Sequence, residues 1–249
     1  MKKIIISLFA LVLALPAQGA GLTDMTAAER KAFRAEVRAY LLDNPEVLME
    51  AIGILEKRQK AQQAQSDGDL IAANAKAIFH DGYSWETGNP DGDVTLVEFT
   101  DYRCPFCRRI HNEVRDLVRK DGNIRFVVKE FPILGKDSEI STRMAIATLA
   151  KAGPAAYQKL ADFLITFNGK MTPKTQKAIL NRFDLDAGAI MAYMDDPAVT
   201  AMIGANHALA AKLRINGTPT FVLRDRMIRG YVPPATMREM IRQSRKNAR

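Results

Sequence analysis

The chain has 249 residues, a formal net charge of +8 and only two cysteines. Its basic residues are scattered among acids, which argues against a nucleic-acid surface, and the one basic cluster, Arg242 to Arg249, reads as a solvated helix end. Two cysteines leave nothing for a framework of structural disulfides, and the length suits one sizeable domain with an appendage.

Lys2 and Lys3 precede an apolar run from Ile4 to Leu15, followed by Pro16, Ala17, Gly19 and Ala20. That is the shape of a signal peptide over residues 1–20, suited to bacterial export to the periplasm. A retained anchor is the alternative, but the run is short for a membrane span. No later segment has 18 uncharged apolar residues.

Residues 22–65 read as an N-terminal helical segment. Thr26-Ala27-Ala28-Glu29 fits a capping box. Phe33, Val37, Tyr40 and Leu41 recur at helical spacing, Asn44-Pro45 punctuates, and Val47, Leu48, Ala51, Ile52 and Leu55 form a second stripe. A helical pair of about 40 residues has too little core to stand alone, so the stripe needs a partner surface. The main domain is one candidate; another copy of the chain, in a trimer, is the favoured one. Residues 56–77 turn polar and read as a solvated helix with a hinge at Gly68; with the turn-rich Gly82 to Gly92, residues 66–91 are expected as a linker. Trp85 is assigned to packing.

Residues 92–249 read as strand 94–100, helix 104–120, strand 124–130, a helical block at about 138–213, strands 219–224 and 227–231, and helix 234–246. Asp121-Gly122-Asn123 and Arg224-Asp225-Arg226 supply turns. This α/β order resembles the thioredoxin fold with a helical insertion. The inserted methionines and alanines are read as core.

Cys104-Pro105-Phe106-Cys107 opens the first helix of that unit. Unpaired N–H groups and the positive end of the helix dipole favour a thiolate at Cys104, with Arg103 and Arg108 adding positive potential. The exposed thiolate attacks a disulfide, and Cys107, one turn inward, resolves the mixed disulfide. Pro105 suits a position that needs no N–H. Glu98 is an acid in an apolar strand. It either faces outward or lies buried beneath Cys107, where burial would raise its pKa and let it exchange that thiol's proton. Thr218-Pro219 precedes the last strands, where an X–Pro bond can be cis. His111 with the two cysteines spells a zinc-like spacing, but a fourth ligand is missing. Two thiolates also suit a cuprous ion, as a secondary activity; no resident cofactor beyond the cysteine pair is expected.

Taken together, the stretch Gly92 to Cys107, Glu130-Phe131-Pro132-Ile133-Leu134-Gly135 and Gly217-Thr218-Pro219-Thr220-Phe221 resemble the DsbA-like disulfide oxidoreductases over about residues 78–246. The resemblance implies Cys104 as nucleophile, Cys107 as resolving thiol, Glu98 as buried acid and Pro219 as cis-proline after Thr218. The N-terminal helices resemble the ScsC, or suppressor-of-copper-sensitivity, group, in which some members trimerise and act as isomerases. Phe106 stands where the oxidase pattern has histidine, and Thr218 resembles isomerases. The leading expectation is therefore a periplasmic thiol–disulfide isomerase or reductase acting on exported proteins and recycled by a membrane redox partner. A monomeric oxidase and a copper-binding or chaperone-like protein are the alternatives.

Overall fold

The structure, a computed structural model, describes residues 25–247. The expected signal peptide lies outside the described residues. The chain divides into two units between Gln59 and Lys60.

In the first unit, α1 (Ala27–Asp43) starts at the expected capping box. Thr26 Oγ1 accepts from the Glu29 N–H at 3.3 Å, and the Glu29 carboxylate accepts from the Thr26 N–H at 2.8 Å. Two orphan donors of the helix end are thereby satisfied. Asn44 ends the helix by donating to the Tyr40 carbonyl, and α2 (Glu46–Ala73) begins after Pro45. Helix α1 buries no residue. Phe33, Val37, Tyr40, Leu48, Ile52 and Leu55 are each 40 to 55% exposed.

The second unit is built on a five-stranded sheet of β1 (Trp85–Gly88), β2 (Val94–Thr100), β3 (Ile124–Glu130), β4 (Thr220–Val222) and β5 (Met227–Arg229), in the order β1-β3-β2-β4-β5. The central pair β2 and β3 is parallel and joined through α4 (Pro105–Asp121); every other pairing is antiparallel. Gly122, at φ 71°, closes α4 in the left-handed conformation that glycine adopts without strain. Strand alternation divides the core. Leu96, Phe126, Val128, Phe221 and Ile228 pack with α4, α5 (Lys136–Leu164) and α9 (Pro234–Asn247). Val97, Phe99, Val127 and Val222 pack on the other face with Ile78 of α3 (Ala75–Phe79) and Leu209 of α8 (Pro197–Lys212). Strands buried on both faces explain the near-continuous apolar runs at 94–100 and 124–130.

The expected helical block resolves into α5, α6 (Pro173–Arg182), α7 (Ala187–Tyr193) and α8. Gly153, at φ 83°, breaks α5 just before Pro154. The expected linker differs more. Gly68 lies inside α2, with no hinge there, because Asp67 accepts two bonds from Arg229 at 2.7 and 2.9 Å and a third from Gln63. Ile71 and Ile78 are core residues, and β1 is an edge strand paired with β3. A four-residue strand among turn residues carries too little alternation to read from sequence.

Lys129 is fully buried, donating to the Ala77 carbonyl at 2.8 Å and to the Asp81 carboxylate. Asp81 also accepts from the N–H groups of Tyr83 and Ser84 and from the Ser84 hydroxyl. An ammonium in the core persists only while it is paired. Asp81→Ala should therefore destabilise the protein by about 3 kcal/mol, read as a lowered urea midpoint, with a smaller loss in Asp81→Asn.

Candidate active site

Strand β2 delivers the chain to a loop held by Asp101, which is fully buried. Its carboxylate accepts from the N–H groups of Arg103 (2.7 Å), Ile133 (2.7 Å) and Leu134 (3.0 Å) and from the Ser138 hydroxyl (2.8 Å). That one side chain ties the turn before the cysteines to the loop after β3 and to the start of α5. Cys104 is the N-cap of α4 and Pro105 its first residue. The pairing of β2 with β4, Glu98 opposite Phe221 and Phe99 opposite Thr220, brings Thr218-Pro219 beside the helix start. The Thr218-Pro219 bond is cis, and the Thr218 carbonyl oxygen lies 3.1 Å from Cys104 Sγ. Cys104 is expected exposed from its sequence position; it is only 4% exposed, with Phe106 and Leu134 the solvent-facing apolar residues of this region.

The Cys104 pKa is lowered to about 5, first by the Cys107 thiol, then by the Thr218 side chain and the N–H groups of Cys107 and Phe106; the Cys107 N–H donates to the sulfur at 3.5 Å. Burial and the facing Thr218 carbonyl, which favours the protonated thiol, oppose them and lose. Cys107 shifts the other way, pushed far up because it donates to Cys104, is buried and faces the charge of Glu98. The pair is thus one nucleophilic sulfur and one held as thiol. Phe106 brings no imidazolium, yet its N–H serves the same sulfur.

The outward-facing alternative for Glu98 does not hold. Glu98 is 5% exposed and shares the sheet face of Leu96, under α4. Burial raises its pKa to about 7, partly offset by His111, Arg115 and a hydrogen bond with Thr100. A second buried acid, absent from the sequence-based site, lies on the neighbouring strand. Glu130 accepts from Tyr102 and Tyr157 at 2.6 Å each and from Thr142 at 3.1 Å; burial raises it, too, to about 7. Its signal was present in the sequence, since Glu130 ends an apolar strand much as Glu98 interrupts one.

Arg103 and Arg108 also bind backbone carbonyls beside the cysteines. Arg103 donates to the carbonyls of Phe167 and Gly169, and Arg108 to those of Tyr102 and Phe167. They fasten the 167–169 loop beside the cysteines; burial lowers the Arg108 pKa and the Cys104 charge acts against that, the attraction expected between the two. His111 does not join the cysteines; its Nε2 pairs with Asp162 at 2.8 Å. Trp85 packs as expected, buried against Tyr157 with Arg115 over its ring.

Two family models match the chain: thioredoxin over residues 80–243, and the copper resistance protein ScsC N-terminal domain over residues 29–62. A thioredoxin-like oxidoreductase from Silicibacter pomeroyi DSS-3 is 38% identical, with 70% of this chain and 98% of that chain covered and a TM-score of 0.64. Proteus mirabilis ScsC in a compact conformation is 25% identical, with 86% and 96% covered and a TM-score of 0.63. The thiol:disulfide interchange protein DsbC of Escherichia coli K12 is 26% identical over 159 residues, 63% of this chain and 54% of that protein. The chain spans only 22 to 26% of the first curated relatives it matches, Na(+)/H(+) antiporters of the NhaA type.

The donor set around Cys104 has a direct readout. Thiolate absorbance of the reduced protein should titrate with a midpoint near pH 5. Thr218→Val, which removes one donor, should move that midpoint upward. Because the folded pKa lies below the unfolded value of 9.0, the thiolate's contribution to the stability of the reduced form is fully present above pH 9. It declines as the pH falls toward 5, which urea unfolding across that range would detect.

Proposed function

The chain belongs to the thioredoxin family, whose model covers residues 80–243, and from that membership we propose that it is a thiol–disulfide oxidoreductase of the periplasm. The observation that carries the reading is the opposed pair: a Cys104 sulfur held as thiolate at a helix N-terminus and a buried Cys107 thiol facing Glu98. Cys104 Sγ attacks a substrate disulfide; one substrate sulfur bonds to Cys104 and the other leaves as thiolate. Cys107 then loses its proton to the Glu98 carboxylate and attacks Cys104 Sγ. The substrate's second sulfur leaves, and the substrate is reduced as the Cys104–Cys107 disulfide forms. Thr218 and Pro219 line the sulfur being attacked.

The preferred direction is isomerase or reductase, on exported proteins with disulfides, with a membrane redox partner restoring the dithiol. Support comes from the likeness to a thiol:disulfide interchange protein and to the ScsC N-terminal domain, and from the exposed stripe of the first unit. An apolar stripe of that extent favours burial against further copies of the chain, in a homotrimer. Several active sites on one assembly would surround a misfolded substrate. A second reading, a monomeric dithiol oxidase, draws on one observation: a thiolate held near pKa 5 stabilises the reduced form and so favours handing a disulfide onward.

Cys104→Ser should abolish insulin reduction, whereas Cys107→Ser should accumulate mixed disulfides with substrate, read by mass spectrometry under non-reducing conditions; full activity in the Cys104 variant would remove the assignment. For the assembly, light scattering on an eluting peak should give three chains, and the pair Val37→Glu with Ile52→Glu should give one. A wild-type monomer at micromolar concentration would favour the oxidase.

A further inference from the structure

The exchange leaves a proton on Glu98, and the carboxyl that takes it is sealed in the core. Beside it, among the described residues, lies a cavity of about 20 Å³, lined by Glu98, Tyr102, His111, Arg115 and Tyr157 among others. That volume admits about one water molecule.

The groups on the cavity wall differ in what they can do with a proton. Arg115 stays charged and cannot accept one. Tyr102 and Tyr157 already donate to Glu130, which is itself buried and bonded on both oxygens, so that branch ends in the core. Thr100 hydrogen-bonds the Glu98 carboxyl and has no basic atom. Cys104 and Cys107 are the reacting groups. His111 is what remains. Its Nε2 lies 2.8 Å from Asp162 Oδ1, and the Asp162 side chain is 45% exposed. Arg115 donates to the same oxygen at 3.0 Å. Burial would raise Asp162, but the His111 hydrogen bond and the Arg115 charge outweigh it and keep Asp162 a carboxylate. An ionised partner at Nε2 favours the tautomer with a proton there and leaves the other ring nitrogen as the acceptor.

We propose that His111 and Asp162 form a proton relay that connects the buried Glu98 to solvent. The inference rests on the exchange chemistry proposed above. As Cys107 gives its proton to Glu98 to attack the mixed disulfide, the Glu98 proton crosses the cavity to the free nitrogen of His111, which keeps Glu98 able to accept while the Cys104–Cys107 bond closes. The ring gives up its Nε2 proton at Asp162, which passes it to bulk water. Glu98 returns to carboxylate, His111 to its starting form after tautomeric exchange, and one proton has left the core. In the reductive direction the same groups carry a proton inward.

The test follows the reaction of the reduced, full-length protein with oxidised glutathione, acid-quenched and read by mass spectrometry. Formation of the mixed disulfide on Cys104 should keep its wild-type rate in His111→Ala. Its decay to the Cys104–Cys107 disulfide at pH 7 should slow by about tenfold, and added imidazole should restore it. Asp162→Asn, a change at a half-exposed position, should slow the same step by about threefold without touching the first. Decay within twofold of wild type in both variants would overturn the relay, as would a loss in His111→Ala that imidazole does not restore, which is what a packing or purely electrostatic role predicts. If His111→Ala does not fold, the decay rate of Asp162→Asn decides. A wild-type protein that forms no mixed disulfide would instead remove the exchange reading on which the relay rests.

Discussion

A sulfur anion with little access to water survives only where protein donors replace the water it lost. The first turn of α4 meets that requirement at Cys104, with the N–H groups of Phe106 and Cys107 and the Cys107 thiol. The rest of the second unit serves this turn. The parallel pair β2 and β3 forces a crossover helix, and the helix must start where β2 ends. Pairing of β2 with β4 then places Thr218-Pro219 against the same sulfur. Asp101 locks the intervening loop with four accepted hydrogen bonds. Water competes poorly for such a buried carboxylate, which gives this loop its fixed geometry.

The two cysteines respond oppositely to one environment because they share one hydrogen bond. Cys107 gives it and Cys104 receives it, so stabilising the charge on one sulfur keeps the proton on the other. Glu98 and Glu130 extend the pattern into the sheet. Both are acids on the α4 face of adjacent strands, and burial raises both toward neutrality. Their partners separate them. Glu130 is saturated by two phenols and a hydroxyl. Glu98 keeps a small cavity beside it, which the His111 side chain also lines.

The first unit follows a different logic. Helix α1 is well capped at its start but buries nothing, and large apolar side chains face solvent along both helices. Helix propensity and capping make such a segment helical; they do not give it a core. The second unit, by contrast, packs apolar residues on both faces of its sheet, and there even a lysine is buried once Asp81 pairs with it.

What was legible in the sequence rested on periodicity and local chemistry. The strands 94–100 and 124–130, helix α4, the capping box at Thr26, the cysteine pair and the acid at Glu98 all carry signals within a few residues. The undivided block at 138–213, the hinge at Gly68 and the linker at 66–91 came out differently because their outcomes depend on distant partners. Asp67 stays helical through Arg229, and β1 exists because β3 offers an edge. The same limit applied to side-chain roles. Arg103 and Arg108 stand beside the cysteines in sequence, but the carbonyls of Phe167 and Gly169 decide what they bind. His111 stands four residues from Cys107, but Asp162 on α5 takes its ring. The sequence by itself determined which residues could react. Only the tertiary structure decided which are buried and which are paired, because burial and charge pairing are properties of what the fold brings from elsewhere.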